Sequence, residues 1–345
     1  MTSYQGLEAQ YGSENILPIT DALNAVVSSS RINSKWDSNL IFVDDAENLD
    51  KYEIPPIKEV NAWGIKNLLR DLDIALYKRG ERIGALLIVG GPKIIPFHRL
   101  PNPVDDLDTE VPSDNPYATT DDNYFIPNWP VGRIPGGSDN DASTLIHQLE
   151  TIIGKRNTNQ KKESKIKTFF NTILALLFKS RRPNPSFGYT AEIWRRASNA
   201  VFRPIGKPHT LTISPPSHAE EMNSKNLTPT QFAYFNLHGL EDTPDWYGQR
   251  DPIESPDGID YPIALRPQDI MNSGSAPQIV FSEACYGANI IDKNVDDAIS
   301  LKFLTSGSSA LIGSTCTSYG SISSPLIAAD LLGKYFWNSL NDGYP

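Results

Sequence analysis

A histidine and a cysteine each follow an apolar stretch in the second half of the chain. Residues 231–237 and 278–284 are predicted to be buried strands, and they lead into His238 and Cys285. Catalytic groups of open parallel sheets collect beyond the carboxyl ends of the strands. A thiol beside an imidazole can ionise and attack a carbonyl carbon, and the imidazole then protonates the departing amine. The placement favours a nucleophilic pair, although a single buried cysteine or histidine is more often structural.

Gly239 directly follows the histidine. A residue without Cβ allows its backbone N–H to approach a substrate carbonyl oxygen closely. Together with the N–H of Cys285, the N–H of Gly239 is predicted to form an oxyanion hole.

The elements that must position this pair alternate between strand and helix, which predicts an α/β fold with a parallel sheet. The apolar patterns predict strands at 39–43, 84–89, 169–178, 210–213, 231–237, 278–284 and 310–313. They predict helices at 60–78, 141–153, 189–202, 295–305 and 325–340. The stretch 96–137, rich in proline and aspartate, is predicted to be irregular.

Several short motifs resemble one family of proteins. Leu237-His238-Gly239 and the run from Phe281 to Cys285 resemble the signatures shared by caspases, legumain, clostripain, separase and gingipains. The gingipain family is the best match, on motifs that span about residues 84 to 340. These motifs are Ala85-Leu86-Leu87-Ile88-Val89-Gly90-Gly91, Ile95-Pro96, Ser113-Asp114-Asn115-Pro116-Tyr117, Asp121-Asp122-Asn123-Tyr124, Val131-Gly132-Arg133-Ile134-Pro135, Trp246, Ile312-Gly313-Ser314-Thr315 and Ser324-Pro325.

The resemblance implies a caspase-like fold of open, mostly parallel sheets flanked by helices in two lobes. Residues 1–160 would form a lobe without catalytic side chains, and residues 161–345 a catalytic lobe. It also implies a cysteine endopeptidase in which Cys285 is the nucleophile and His238 the acid and base. Arg-specific gingipains place an acid before the helix of the second lobe, and 187–190 has none. The chain stops at Gly343-Tyr344-Pro345, where family members continue, as expected for a trimmed or processed form.

Glu283 is the candidate for substrate selection, with Trp246 and Tyr319 as further substrate-binding candidates. Side chains alternate along a strand, so Glu283 is expected to project to the same face as Cys285. Its carboxylate would bind Arg or Lys before the cleaved bond, as the similar clostripain pattern implies. The alternative is an internal pair of Glu283 with Arg181 or Arg182, which would give an uncharged or zwitterionic pocket.

The charge balance bears on partners and location. A net charge of −10 and a pI near 5.0 oppose binding to nucleic acid or to an anionic membrane. The basic stretch 155–182 is interpreted as a solvated linker. The N-terminus has no secretory signal and the longest apolar run is too short to span a bilayer, so a cytoplasmic protein is expected. The expected partner is a protein or peptide substrate, and a regulatory protein or an activating protease is compatible with the family.

No cofactor is expected. The histidines outside the pair are scattered, without the spacing of metal ligands, and the two cysteines form no cluster. Gly90-Gly91 lacks the remaining residues of a phosphate-binding loop. An acidic loop is compatible with calcium, although solvated turn aspartates are the commoner case. Its acids are Asp105, Asp106, Asp108, Glu110, Asp114, Asp121 and Asp122.

A second class of function uses the same signatures. A caspase-like domain similar to the CHAT type can act as a binding or signalling module without turnover. The intact His238-Gly239 and Ala284-Cys285 pairs favour the enzyme. Reaction of Cys285 with iodoacetamide would separate the two classes, because only an activated thiol reacts faster than a free one.

Overall fold

The chain folds as two units. The computed structural model describes residues 1–31, 37–162, 186–222, 230–270 and 276–343. Unit 1 comprises 1–168 with 290–292, and unit 2 comprises 169–289 with 293–345. The predicted lobes, 1–160 and 161–345, divide the chain in the same region of the sequence.

Unit 1 combines helices with two small sheets. Its helices are α1 (Tyr4–Tyr11), α2 (Ile16–Arg31), α3 (Ala46–Asp50), α4 (Ala62–Tyr77) and α5 (Ala142–Lys162). Its strands are β1 (Leu86–Val89), β2 (His98–Pro101), β3 (Glu110–Ser113) and β4 (Val131–Ile134). β1 pairs with β4 in parallel, and β2 pairs with β3 in antiparallel orientation.

Helix α4 shows how the sequence specifies unit 1. Ile65, Leu68, Leu69 and Leu72 are buried on one face at helical spacing. The side chain of Asn61 accepts a hydrogen bond from the Gly64 N–H and caps the first turn. The helix predicted at 60–78 is confirmed, and these features explain why it forms.

An ion pair explains two motif positions of unit 1, Arg133 and Asp114. The guanidinium of Arg133 donates to both carboxylate oxygens of Asp114, at 2.6 and 2.9 Å, and to the carbonyls of Gly90 and Ile95. The pair is largely buried, so the N–H groups of the guanidinium that do not reach Asp114 must find other acceptors, and the two carbonyls supply them. Asp114 therefore holds the loop after β3 and is committed to a structural contact.

Unit 2 contains a five-stranded parallel sheet. Its strands are β5 (Phe187–Ala191), β6 (Thr212–Ser214), β7 (Phe232–Asn236), β10 (Ile279–Ser282) and β11 (Ala310–Ile312), in the spatial order β11-β10-β7-β5-β6. The antiparallel pair β8 (Trp246–Tyr247) and β9 (Ile263–Leu265) lies in the connection between β7 and β10. The helices are α6 (Arg195–Phe202), α7 (Ile299–Thr305) and α8 (Ala328–Asn341).

Hydrophobic cores cover both faces of this sheet, which explains the continuous apolar runs of its central strands. Phe235 and Val280 face the core that contains Phe303 of α7. Tyr234 and Phe281 face the opposite core, to which α6 contributes Val201 and Phe202 and α8 contributes Trp337. Alternate residues of β7 and β10 therefore face opposite sides.

The α/β fold class with a parallel sheet flanked by helices is confirmed, but some predicted elements are wrong. Residues 39–43 form only an isolated bridge between Thr2 and Phe42, so their apolar run lacks a full strand partner. Residues 187–191 form strand β5 before α6, because tertiary pairing with β7 overrides the helical pattern predicted from 189. The stretch 96–137 contains three short strands, β2, β3 and β4.

Some sequence-based predictions lie outside the described residues. These are the strand at 169–178, Arg181, Arg182 and most of the basic stretch. Within the described part of the chain, no helix is long and apolar enough to cross a membrane.

Candidate functional site

His238 and Cys285 follow two neighbouring strands of the unit 2 sheet. β7 and β10 pair in parallel, with Tyr234 opposite Phe281, and the ladder continues through a 2.9 Å hydrogen bond from the Glu283 N–H to the Phe235 carbonyl. Each residue was predicted to follow the carboxyl end of a parallel strand, and the structure places them there, on strands that are also adjacent. The sheet brings together two residues that are 47 positions apart in the sequence.

The imidazole of His238 is held by backbone and ring contacts. The backbone N–H of His238 donates to the carbonyl of Tyr247 at 2.8 Å, and the N–H of Tyr247 donates to the carbonyl of His238 at 2.9 Å. Its ring contacts the indole of Trp194, with centroids 4.4 Å apart, and the phenol ring of Tyr261, at 5.6 Å. The connection that carries Tyr247 and Tyr261 thus fixes the position of the histidine.

Gln249 orients the imidazole through a side-chain hydrogen bond. Its Oε1 lies 2.8 Å from Nε2 of His238, and an amide oxygen can only accept, so Nε2 carries the proton and Nδ1 keeps its lone pair. Burial lowers the pKa of His238, and the bond to Gln249 partly offsets this by raising it. Backbone bonds from Ile193 to Gln249 and from Gln249 to Ser214 hold the glutamine in place.

The thiol of Cys285 contacts the backbone of the segment after β11. The Ser318 N–H lies 3.2 Å from Sγ and the Ser318 carbonyl lies 3.5 Å from it. The N–H can donate to a thiolate, whereas the carbonyl can accept from a thiol. The next residue, Tyr286, has φ of 55°. A left-handed conformation at a tyrosine is strained, and such strain is common next to functional groups.

Gly239 lies directly against the backbone of the cysteine. A Cβ on Gly239 would be 2.0 Å from the carbonyl oxygen of Cys285, which is far inside van der Waals contact. The glycine is therefore required for the two strand ends to approach each other. This requirement comes in addition to the predicted contribution of its N–H to an oxyanion hole.

A cleft opens beside the thiol. It contains about 340 Å³ of empty space, part of it open to solvent, and its walls include Trp194, Glu283, Cys285 and the segment 318–321. Glu283 and Cys285 both line it, as the alternation of side chains predicted. Hence a ligand seated in the cleft lies against the thiol and the acid at once.

Glu283 is more buried than expected. The residue is only 6% exposed, and its Oε1 accepts a 3.0 Å hydrogen bond from the hydroxyl of Tyr234. Burial raises the pKa of Glu283 well above its usual range, and the neighbouring carboxylate of Asp330 raises it further. Within the described residues the acid has no Lys or Arg in an ion pair, and the alternative partners Arg181 and Arg182 lie outside that part of the chain.

The two other substrate-binding candidates lie in different environments. Tyr319 is 43% exposed and lines the cleft, as expected for a substrate contact. Trp246 is only 3% exposed and packs on Phe235 in the core, because β8 turns its large apolar side chain inward. The prediction for Trp246 is therefore corrected, and Trp194 supplies the indole of the cleft.

Four residues around the pair were not predicted from the sequence: Trp194, Gln249, Tyr234 and Asp330. Only Asp330 has a signal in the sequence, as an acid on the same helical face as Gly333 and Trp337. The contacts of the other three arise from loops and strands distant in the sequence.

Among the described residues, no group of three His, Cys, Asp or Glu side chains is placed to hold a metal ion. Three of the acids proposed for calcium have internal contacts. Asp106 accepts from Asn102 and from the Asp108 N–H, Asp121 accepts from Thr119 and the Asn123 N–H, and Asp114 pairs with Arg133.

Comparison with known sequences supports the resemblance over the first part of the chain. Residues 23–168 match the sequence model of Peptidase family C25. His238 and Cys285 lie outside the matched range. No curated protein sequence matches the chain significantly.

Comparison with solved structures covers nearly the whole chain. The crystal structure of the Arg-specific cysteine proteinase gingipain R matches with a TM-score of 0.58 and 13% identity, over 94% of this chain and 66% of that one. The complex of Porphyromonas gingivalis RgpB pro- and mature domains matches with a TM-score of 0.58, 14% identity, and 94% and 67% coverage. A structure described only as a protease matches with a TM-score of 0.52, 14% identity, and 87% and 58% coverage.

These comparisons confirm the gingipain-like, caspase-like fold. The chain spans roughly three fifths to two thirds of the length of the solved chains it matches.

Proposed function

We propose that this protein is a cysteine endopeptidase that cleaves protein or peptide substrates after Arg or Lys. One observation carries the proposal: a cysteine and a histidine follow neighbouring strand ends, and the cysteine lines a cleft together with a buried acid. The sequence and fold similarity to cysteine peptidases agrees with it.

The chemistry follows from the arrangement of donors and acceptors. With Nε2 held by Gln249, Nδ1 of His238 takes the proton from the thiol of Cys285. The sulfur attacks the substrate carbonyl, and the N–H groups of Gly239 and Cys285 stabilise the oxyanion. The imidazolium then protonates the departing amine, and water, activated by the same imidazole, hydrolyses the thioester.

Specificity for a basic residue rests on Glu283. A carboxyl group that lines a cleft can accept charge-assisted hydrogen bonds from a guanidinium or an ammonium group. The connection after His238 adds Glu241, Asp242 and Asp245, which contribute a field that attracts basic segments.

We expect wild-type protein to cleave Arg and Lys reporter peptides in preference to Asn and Asp reporters. The substitution Glu283→Gln should lower the kcat/KM for Arg reporters by about 10- to 100-fold, because one charge-assisted contact is lost. The measurement is a peptide library screen followed by kcat/KM on the four reporters, with Cys285→Ala as the blank.

The matched control is Glu220→Gln, which makes the same charge change at an exposed position of unit 2. A wild-type preference for Asn or Asp would contradict the acidic pocket, as would equal Arg cleavage by Glu283→Gln. If no reporter is cleaved and Cys285 reacts with iodoacetamide only as fast as a free thiol, the chain is better described as a binding module of the CHAT type.

Gln249 is expected to act by orienting His238. In Gln249→Leu the imidazole loses the only side-chain acceptor described for it, so neither the protonated nitrogen nor the orientation of the ring is fixed any longer. We expect kcat to fall by about 10- to 100-fold, less than the loss for a charged orienting group. The rate of iodoacetamide reaction at Cys285, located by mass spectrometry, should fall as well.

Gln249→Glu provides the matched comparison. A carboxylate still accepts from Nε2, and its charge raises the pKa of His238, so the imidazolium persists to higher pH. Because only the neutral imidazole can take the proton of the thiol, the acidic limb of the kcat/KM profile should therefore move to higher pH, with most activity retained above it. Equal rates and pH profiles for wild type, Gln249→Leu and Gln249→Glu would show that Gln249 has no role in orienting the histidine.

A further inference from the structure

Two buried carboxyl groups lie at the wall of the cleft. Glu283 is 6% exposed and Asp330, on α8, is fully buried. α8 packs against Glu283, since a Cβ on Gly333, three residues after Asp330, would lie 3.3 Å from Oε1 of Glu283. The two carboxyl groups are close enough for Asp330 to act on Glu283, yet Oε2 of Glu283 and Oδ1 of Asp330 have no donor among the described residues. Ionised carboxylates only accept hydrogen bonds, so this proximity favours a proton on one of the two groups.

The remaining oxygens of the two acids are fixed by donors. Oε1 of Glu283 accepts from the hydroxyl of Tyr234, and Oδ2 of Asp330 accepts from the N–H and the hydroxyl of Ser321. Ser321 and Gly320 belong to the cleft wall, and a Cβ on Gly320 would lie 2.8 Å from Oδ2 of Asp330. Asp330 therefore lies directly behind the wall and reaches the cleft through Glu283.

No described basic group neutralises the pair. The titratable groups that act on the Glu283 carboxyl are Asp330 on α8 and Tyr234 on β7. Burial raises the pKa of Tyr234 well above its usual range, so its hydroxyl stays a donor at neutral pH. Ser321 from the wall is uncharged. Ionising both acids would place two negative charges side by side in the interior, at a large free-energy cost.

We propose that Asp330 is a specificity-determining partner of Glu283: beside Asp330 the Glu283 carboxyl keeps its proton in the unliganded protein, and the cationic side chain of a bound Arg or Lys displaces it. The proton passes to solvent, and the pair then carries two negative charges beside one positive charge. This inference rests on the proposed function, since it assumes that the cleft binds the basic residue of a substrate. Asp330 acts through Glu283 and is a positioning residue.

The sign of the pH dependence follows from linkage. Because binding releases a proton, the affinity for a basic peptide should rise with pH, by up to about tenfold per unit, until Glu283 of the unliganded protein loses its proton unaided. In Asp330→Asn the amide can donate to Oε2 of Glu283, so Glu283 is ionised before binding. This variant should bind basic peptides with little dependence on pH and release no proton.

The test is isothermal titration calorimetry on the full chain with Cys285→Ala, which prevents turnover. The probe is a product-like peptide with a C-terminal Arg, and the control probe carries citrulline, an uncharged analogue of Arg. Heats measured in buffers of different ionisation enthalpy give the number of protons released. We expect about one proton for the Arg peptide near neutral pH and none for the citrulline peptide or for Asp330→Asn.

The outcomes separate this inference from the proposed function. If the Cys285→Ala chain, with both acids intact, releases no proton on binding the Arg peptide, the inference is overturned even if Asp330→Asn fails to fold. If folded Asp330→Asn shows the same dependence of peptide affinity on pH as the chain with intact acids, the inference is overturned as well. Cleavage of Arg reporters together with no proton release would leave the proposed function intact. Absence of both cleavage and binding of basic peptides would overturn both.

Discussion

Cys285→Ala and His238→Ala are each expected to lower the rate of peptide cleavage by more than about a thousandfold. The first removes the nucleophile and the second removes the base that activates it, and such losses ordinarily cost several orders of magnitude. The fold should persist, because both residues are half-buried at strand ends and outside the hydrophobic core. The measurements are kcat/KM on the best reporter and a thermal unfolding curve.

The second cysteine provides the control for this prediction. Cys316 is also half-buried, and its sulfur contacts the hydroxyl of Ser314 and the carbonyl of Thr317. Cys316→Ala should therefore keep most of the wild-type activity. A Cys285→Ala protein that retains more than about a thousandth of the wild-type rate would rule out a covalent mechanism through this residue.

Gly239→Ala is expected to abolish activity and to lower the stability of the fold. The added methyl group would lie 2.0 Å from the Cys285 carbonyl oxygen, so one of the two strand ends must move. Overpacking of this kind costs roughly 1–3 kcal/mol or more in the free energy of unfolding. The displacement would separate the thiol, the imidazole and the backbone donors that must act together.

Gly132→Ala is the matched control, because a Cβ at this position of β4 meets no described atom within 4 Å. Thermal unfolding and reporter cleavage of both variants, measured side by side, check the prediction. If Gly239→Ala unfolds at the wild-type temperature and cleaves at the wild-type rate, the close approach of the two strand ends is absent in solution.

The similarity of fold and the identity of the site rest on different observations. At 13–14% identity the solved structures establish only the fold, and the family model matches a range that ends before the histidine. The proposed chemistry therefore depends on the local geometry of unit 2. Its most specific element is the pairing of β7 with β10, which places the thiol, the imidazole and the acid at one edge of the sheet.

The amino-acid sequence by itself determined the fold class, the two strand ends that carry His238 and Cys285, and the shared face of Glu283 and Cys285. Each of these depends on local periodicity, in which apolar runs mark buried strands and alternation assigns the faces. Local propensity was insufficient at 187–191, where pairing with β7 produced strand β5 within a region predicted to be helical.

Only the tertiary structure decided which side chains surround the pair. Trp246 looked like a substrate contact but packs in the core, and Trp194 lies in the cleft instead. Gln249 reaches His238 from the connection after β8, and Asp330 meets Glu283 from a helix 47 residues further along the chain. Contacts between residues so distant in the sequence depend on how loops and helices pack against the sheet, and no local pattern encodes that packing.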